Sequence, residues 1–140
     1  MLHDRSITIS HGKSRKSTHW QQQKLKLSEM WEKLRHPSRS TETLNEYLQL
    51  SKAQQDELKD VGGYVGGELV GERRKANSVA GRDIITLDLD NIPDGGTNDV
   101  LRRLEGLGSG YCAYSTRKHH GAKPRLRVLI PLDRTVTADE

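Results

Sequence analysis

Asp88 and Asp90 close the run Ile84-Ile85-Thr86-Leu87-Asp88-Leu89-Asp90, whose apolar, β-branched residues read as a buried strand. Side chains alternate along a strand, so both carboxylates leave one face with their Cα atoms roughly 6.7 Å apart. Two like charges there repel. Protonation relieves the repulsion, but a divalent cation relieves it better, and hard oxygen ligands of this kind suit magnesium or manganese. The pair points to phosphate chemistry on a metal. The same residues also suit a plainer purpose, ending a strand at solvent and starting the turn at Pro93-Asp94-Gly95-Gly96.

Two other polar sets accompany the acids: the segment Ser115 to His120, and Arg125 with Arg127. Nucleotidyl transfer requires metal on the reacting oxygens, cations on the triphosphate and a donor that orients it. In that scheme Asp88 and Asp90 hold metal, His119 donates to a phosphate oxygen, and Arg125 or Arg127 offsets triphosphate charge with a planar fork. Each has an ordinary rival, since histidines in polar loops and arginines on one strand face are commonly just solvated. Cys112, without a base partner, reads as a small core residue rather than a nucleophile.

Several elements must position these groups. Thr97 to Gly106 reads as a helix with Val100, Leu101 and Leu104 facing inward and Gly106 or Gly108 as its stop. Strands are expected over Tyr111–Thr116 and Arg125–Leu132; in the second, Leu126, Val128, Ile130 and Leu132 form one face and Arg125 and Arg127 the other. A strand-helix-strand unit pairs in parallel through a right-handed crossover, and Lys118 to Pro124 is long enough for a hairpin. Residues 83–132 therefore read as a βαββ sheet unit like the opening of an RNA-recognition motif. Closing it needs a second helix and a fourth strand, and Thr135 to Glu140 reads as the start of that helix. Upstream, residues 1–27 are basic and lack apolar periodicity, so a flexible arm is expected. Helices are expected over 28–60: the first carries Met30, Trp31 and Leu34 and ends at His36-Pro37; the second carries Leu44, Tyr47 and Leu48 behind caps at Ser38–Thr41; the third is capped by Ser51. The glycine-rich segment 62–81 reads as a hairpin bent at Gly66-Gly67, whose glycines would let a backbone approach phosphate. Neither a Walker P-loop nor a Gly-x-Gly-x-x-Gly fingerprint is present. The expected fold is α+β, N-terminal helices followed by an incomplete sheet unit.

With 140 residues, 30% charged and 32% apolar without a single Phe, the chain is one domain or part of one, around a small core. The net charge of +4 favours a polyanionic partner only slightly. Distribution matters more: basic residues gather at Lys13 to Lys26, Arg73-Arg74-Lys75 and Arg117 to Arg127. A lone cysteine excludes an internal disulfide, and no apolar stretch approaches membrane or secretory length, so the chain reads as cytoplasmic with no membrane partner.

The acidic run, followed by Tyr114-Ser115-Thr116-Arg117-Lys118-His119 and by Lys123-Pro124-Arg125-Leu126-Arg127-Val128-Leu129-Ile130-Pro131-Leu132, resembles the primase-polymerase domain of phage replication proteins, the virulence-associated protein E group of the archaeo-eukaryotic primase superfamily. The resemblance extends upstream through Lys59-Asp60-Val61-Gly62-Gly63-Tyr64-Val65-Gly66-Gly67 and Arg73-Arg74-Lys75 to His19-Trp20, nearly the whole chain. An Asp-x-Asp alone is common; joined to the Pro-Arg-Leu-Arg strand it is much more specific. The resemblance implies a primase-type sheet in which Asp88 and Asp90 are catalytic ligands of Mg2+ or Mn2+. It implies nucleotide contacts from Ser115, Arg117, His119, Arg125 and Arg127, with nucleoside triphosphates and single-stranded or primed DNA as partners. It further implies a bacterial host cytoplasm and a downstream helicase domain or a separate helicase. Two departures stand out. Many relatives have histidine directly after Ser-Thr, where this chain has Arg117, and the third acidic motif lies beyond Glu140. Residues 28–140 are accordingly expected to be the N-terminal part of such a domain, weak or inactive alone, with an exposed apolar edge near Leu132.

Two rivals belong to other classes. Haloacid-dehalogenase-type phosphatases resemble Asp88-Leu89-Asp90-Asn91-Ile92, but Ile92 stands where Thr or Val is usual and the Pro-Arg-Leu-Arg strand has no role there. A non-catalytic nucleic-acid-binding remnant of a replication protein is the other, though the sheet lacks interleaved aromatics for stacking on bases. Metal-dependent nucleotide binding marks a primase site; a steep salt dependence marks simple phosphate contacts.

Overall fold

The computed structural model describes residues 3–140. Among them the chain forms β1 (Ser6–Gly12), β2 (Gln21–Lys26), α1 (Leu27–Leu34), α2 (Leu44–Gln49), α3 (Lys52–Lys59), β3 (Gly63–Val65), β4 (Gly67–Leu69), β5 (Val79–Leu89), α4 (Thr97–Glu105), β6 (Cys112–Ser115) and β7 (Leu126–Val136). One sheet is ordered β2-β1-β3 and the other β4-β5-β7-β6. The pairings β1–β2, β1–β3, β4–β5 and β6–β7 are antiparallel.

The mixed α+β class agrees with the sequence, but the helices-first order does not. Two strands precede the helices, and they lie within the stretch expected to be a flexible arm. Ser6 to Ser10 alternates polar and apolar residues, and the apolar Ile7 and Ile9 are buried. With only two apolar positions in β1 and one in β2, the pattern is too sparse to stand out from a basic segment. The expected parallel pairing across α4 also gives way, because β7 lies between β5 and β6 in the sheet. The glycine-rich hairpin is absent: β3 joins β1 while β4 joins β5, so Gly66 is where the chain passes from one sheet to the other. That crossing is tight, since a Cβ on Gly67 would lie 2.0 Å from the Gly81 carbonyl oxygen.

The chain divides into two compact units, one running to Asp83 and including Leu132–Glu140, the other Ile84–Pro131. The first is built on Ile7, Ile9, Trp20, Leu25, Leu27, Met30, Tyr47 and Leu69, all buried. Its helices are short and depend on caps. Asp4 accepts from the Ser28 N–H at 2.8 Å and its hydroxyl at 2.6 Å in the first turn of α1. Thr43 with Glu46 and Ser51 with Gln54 form capping boxes on α2 and α3. The cap of α2 is thus Thr43, not the expected Ser38–Thr41. Tyr47 is buried on α2, and its hydroxyl donates to the Gln55 carbonyl of α3 at 3.1 Å.

Asp83 carries the most consequential buried charge of this unit. Its side chain is 4% exposed and accepts from Arg5 Nη2 at 2.7 Å, from the Thr8 backbone N–H at 2.6 Å and from the Thr135 hydroxyl at 2.6 Å. Arg5 Nε also donates to the Leu132 carbonyl at 2.7 Å. Thr135 therefore serves a strand, and the helix expected to begin there is replaced by a β7 that runs to Val136. Burial pushes the Asp83 carboxyl up, but the hydrogen bonds from Thr135, Thr8 and Arg5 outweigh it and hold the group below its ordinary value. A carboxyl lowered in the folded state stabilises above its unfolded value and loses that stabilisation as pH falls through the folded one. Asp83→Asn should cost about 3 kcal/mol, the low end for breaking a buried pair because Arg5 is partly solvated. Urea unfolding at pH 7 should show the drop, and the gap between parent and variant should narrow as pH falls below about 4.

Candidate functional site

The second unit holds every residue of the expected site. The pleat of β5 puts Ile84, Thr86 and Asp88 on one face, with Asp90 continuing it just past the strand end. Ile84 is fully buried, while Asp88 and Asp90 are exposed. The run is therefore not the buried strand its composition suggests: Ile85 and Leu87, on the other face, are 39% and 41% exposed.

Each acid faces an arginine of β7 or of the residue just before it. Arg127 grips Asp88 with its fork, Nε to Oδ1 at 2.6 Å and Nη2 to Oδ2 at 3.2 Å. Arg125 Nη1 lies 3.9 Å from Asp90 Oδ1. The repulsion expected of the acidic pair is thus met by two guanidinium groups. The hydrogen bond that Arg127 donates to Asp88, opposed by burial and helped by Tyr114, raises Arg127 above the ordinary arginine value. In the β6–β7 hairpin Tyr114 stands opposite Arg127 and Cys112 opposite Leu129, so both share the acid-bearing face. Leu129 on that face is fully buried and Cys112 half-buried. The face thus grades from apolar to charged along the strands.

The hairpin connection fixes the histidine. The Thr116 N–H donates to the Arg125 carbonyl at 3.1 Å, the His119 N–H to the Thr116 carbonyl at 2.9 Å, and the Arg125 N–H to His119 Nδ1 at 3.0 Å. An Nδ1 that accepts from an amide carries no proton, so the neutral ring keeps its hydrogen on Nε2 and presents that nitrogen as a donor. His120 is occupied by a backbone bridge to Lys123. Ser115 pairs with Leu126 and so belongs to the opposite face from Arg127. Arg117 is half-buried in the connection. Arg125 Nε is buried with no hydrogen-bond partner among the described residues, a donor that an incoming acceptor would satisfy. Tyr114 and Thr116 share the site face, although the sequence assigns neither a role of its own. Their signal was the two-residue period of Pro-Arg-Leu-Arg carried across the hairpin.

As exposed carboxylates on one side of a strand, Asp88 and Asp90 suit a hard cation such as magnesium or manganese. Among the described residues no group of three or more His, Cys, Asp or Glu side chains gathers into a metal site. No helix among the described residues is long and apolar enough to cross a membrane.

These features define a mixed α+β domain whose second unit carries an acid-and-arginine sheet face. The family model of the VapE N-terminal domain matches residues 1–140, and the chain belongs to that family. No curated protein and no solved structure matches it significantly.

The Nδ1 acceptor gives a direct check. His119→Ala should speed hydrogen exchange of the Arg125 amide about fivefold, the value of one ordinary hydrogen bond near 1 kcal/mol. His119→Asn, whose carbonyl oxygen can stand in for Nδ1, should restore protection.

Proposed function

We propose that this chain is the nucleotide-handling N-terminal portion of a phage-type replication protein. In this reading Asp88 and Asp90 serve metal-dependent nucleotidyl transfer of the primase-polymerase kind. The observation that carries the reading is the cross-strand match of Asp88 to Arg127 and Asp90 to Arg125, beside a histidine whose Nε2 is a fixed donor. Membership of the VapE N-terminal family supports it, as does the order β5-β7-β6 with α4 between β5 and β6 in the chain, the layout of a split βαβ sheet.

The ion pairs act as mutual placeholders. A divalent cation held by Asp88 and Asp90 would supply Lewis-acid charge at a phosphoryl oxygen. Arg127 and Arg125, released from the acids, would then meet the triphosphate with forks suited to phosphate oxygens. His119 Nε2 would donate to one of those oxygens, and Arg125 Nε would gain the acceptor it lacks. Ser115 would contribute through its backbone, since its side chain belongs to the other face, and Arg117 through the hairpin connection. The third acidic ligand, the DNA template and a helicase partner belong to the same proposal.

Exchange predicts effects of opposite sign. Arg127→Gln should weaken binding of a non-hydrolysable nucleoside triphosphate about ten- to a hundredfold, the value of about 1.5 to 3 kcal/mol for a charged contact. The same variant should bind Mn2+ more tightly, because Asp88 loses its competing cation. Asp88→Asn with Asp90→Asn should abolish the Mn2+ dependence of nucleotide binding and leave the circular dichroism spectrum intact. Calorimetry on the parent chain giving equal nucleotide affinity with and without Mn2+ would sink the metal-site reading.

A further inference from the structure

The first unit carries a cationic surface assembled from two connections distant in sequence, residues 13–20 between β1 and β2 and residues 70–78 between β4 and β5. Three contacts lock them together. The Trp20 N–H donates to the Glu72 carbonyl at 2.7 Å, His19 Nδ1 lies 3.0 Å from Glu72 Oε2, and the Arg74 guanidinium sits 5.1 Å from the centre of the Trp20 ring. Gly12 lies close against the same ring, where an added Cβ would come within 2.8 Å of it. Arg74 is thereby held over the indole against which Gly12 packs, and Lys13 follows Gly12 in the chain. Ser78 shapes the second connection from within, its hydroxyl accepting the Lys75 N–H at 2.8 Å.

Four acids of this neighbourhood have partners. Asp56 faces Arg15 and Lys52, Glu57 faces Lys16, and Glu72 faces His19. Asp60 accepts from the Ser14 hydroxyl and the Arg15 N–H. Among the described residues Lys13, Arg73, Arg74 and Lys75 have no carboxylate within ion-pair distance, and all four are exposed. We propose that this surface binds the sugar-phosphate backbone of a nucleic acid. Four unneutralised cations on a rigid support match a polyanion, and the arginine forks match phosphate oxygens. Trp20 is 4% exposed and serves as the support, not as a stacking platform, so binding reads charge and not base sequence. Among the described residues of the two connections Val70 is the one exposed large apolar side chain, and a single valine is too little to insert into lipid.

This surface stands apart from the nucleotide reading, because it needs neither metal nor Asp88 and Asp90. The test is fluorescence anisotropy of a labelled mixed-sequence oligodeoxynucleotide titrated with the chain over a series of NaCl concentrations, without divalent metal. Arg73→Gln with Lys75→Gln spares the Arg74 stack. It should weaken binding and lower the slope of log affinity on log salt by about 1.4, two single-strand phosphate contacts at about 0.7 each. Lys33→Gln with Arg35→Gln, the same loss of charge on α1 and its C-cap, should leave slope and affinity unchanged. Parent-like binding by the Arg73/Lys75 variant, equal loss in the α1 control, or equal competition by phosphatidylserine vesicles would each overturn the proposal.

Discussion

The parity of β5 is set by Asp83. A carboxylate taken out of water at that position has to find its donors, and Arg5, Thr8 and Thr135 provide them from the N-terminal segment, β1 and β7. With Asp83 fixed among those donors, every later side chain of β5 is assigned to a face. A slip of one residue would leave the charge without partners and turn Asp88 and Asp90 over together. The cost of an unpaired buried charge is thus what makes the register single-valued. The acids at the far end of the strand inherit their orientation from it.

At the site itself, charge is balanced within the protein. Exposed carboxylates gripped by arginines keep the face neutral. Arg127 is held by two hydrogen bonds to Asp88, whereas Arg125 stands farther from Asp90 and keeps a buried Nε without a partner among the described residues. The two pairs are therefore unequal, and Arg125 is the readier to turn toward a new acceptor. His119 adds a donor whose direction is set by backbone, since the amide it accepts from belongs to Arg125 itself.

The parts legible in the sequence were those with dense periodicity. α4 was expected from Thr97 to Gly106 and ends at the Gly106 cap; the arginine face of β7 followed from alternation with Leu126 and Val128. The parts that were not legible depend on distant partners. β1 shows only two apolar residues, and its strand character depends on β2 and β3. Thr135 looked like a helix start until Asp83 claimed its hydroxyl. The glycines at 66 and 67 read as a turn, because nothing local says that the flanking tripeptides belong to different sheets. The placement of Ser115 needed the hairpin register, which the length of a polar loop does not fix.

The lateness of β3 bears on how the chain is made. β1 closes on β2 across a short connection, a cheap loop to form, but its other partner, Gly63–Val65, follows only after three helices have been translated. In the interval the edge at Ser10, His11 and Gly12 offers unpaired backbone groups, and such an edge accepts a strand from any neighbouring chain. Nascent chains crowded on one message meet that hazard together. Until Gly63–Val65 has been made, that edge is the part of the first sheet most in need of protection, a demand set by the order of synthesis as much as by the folded protein.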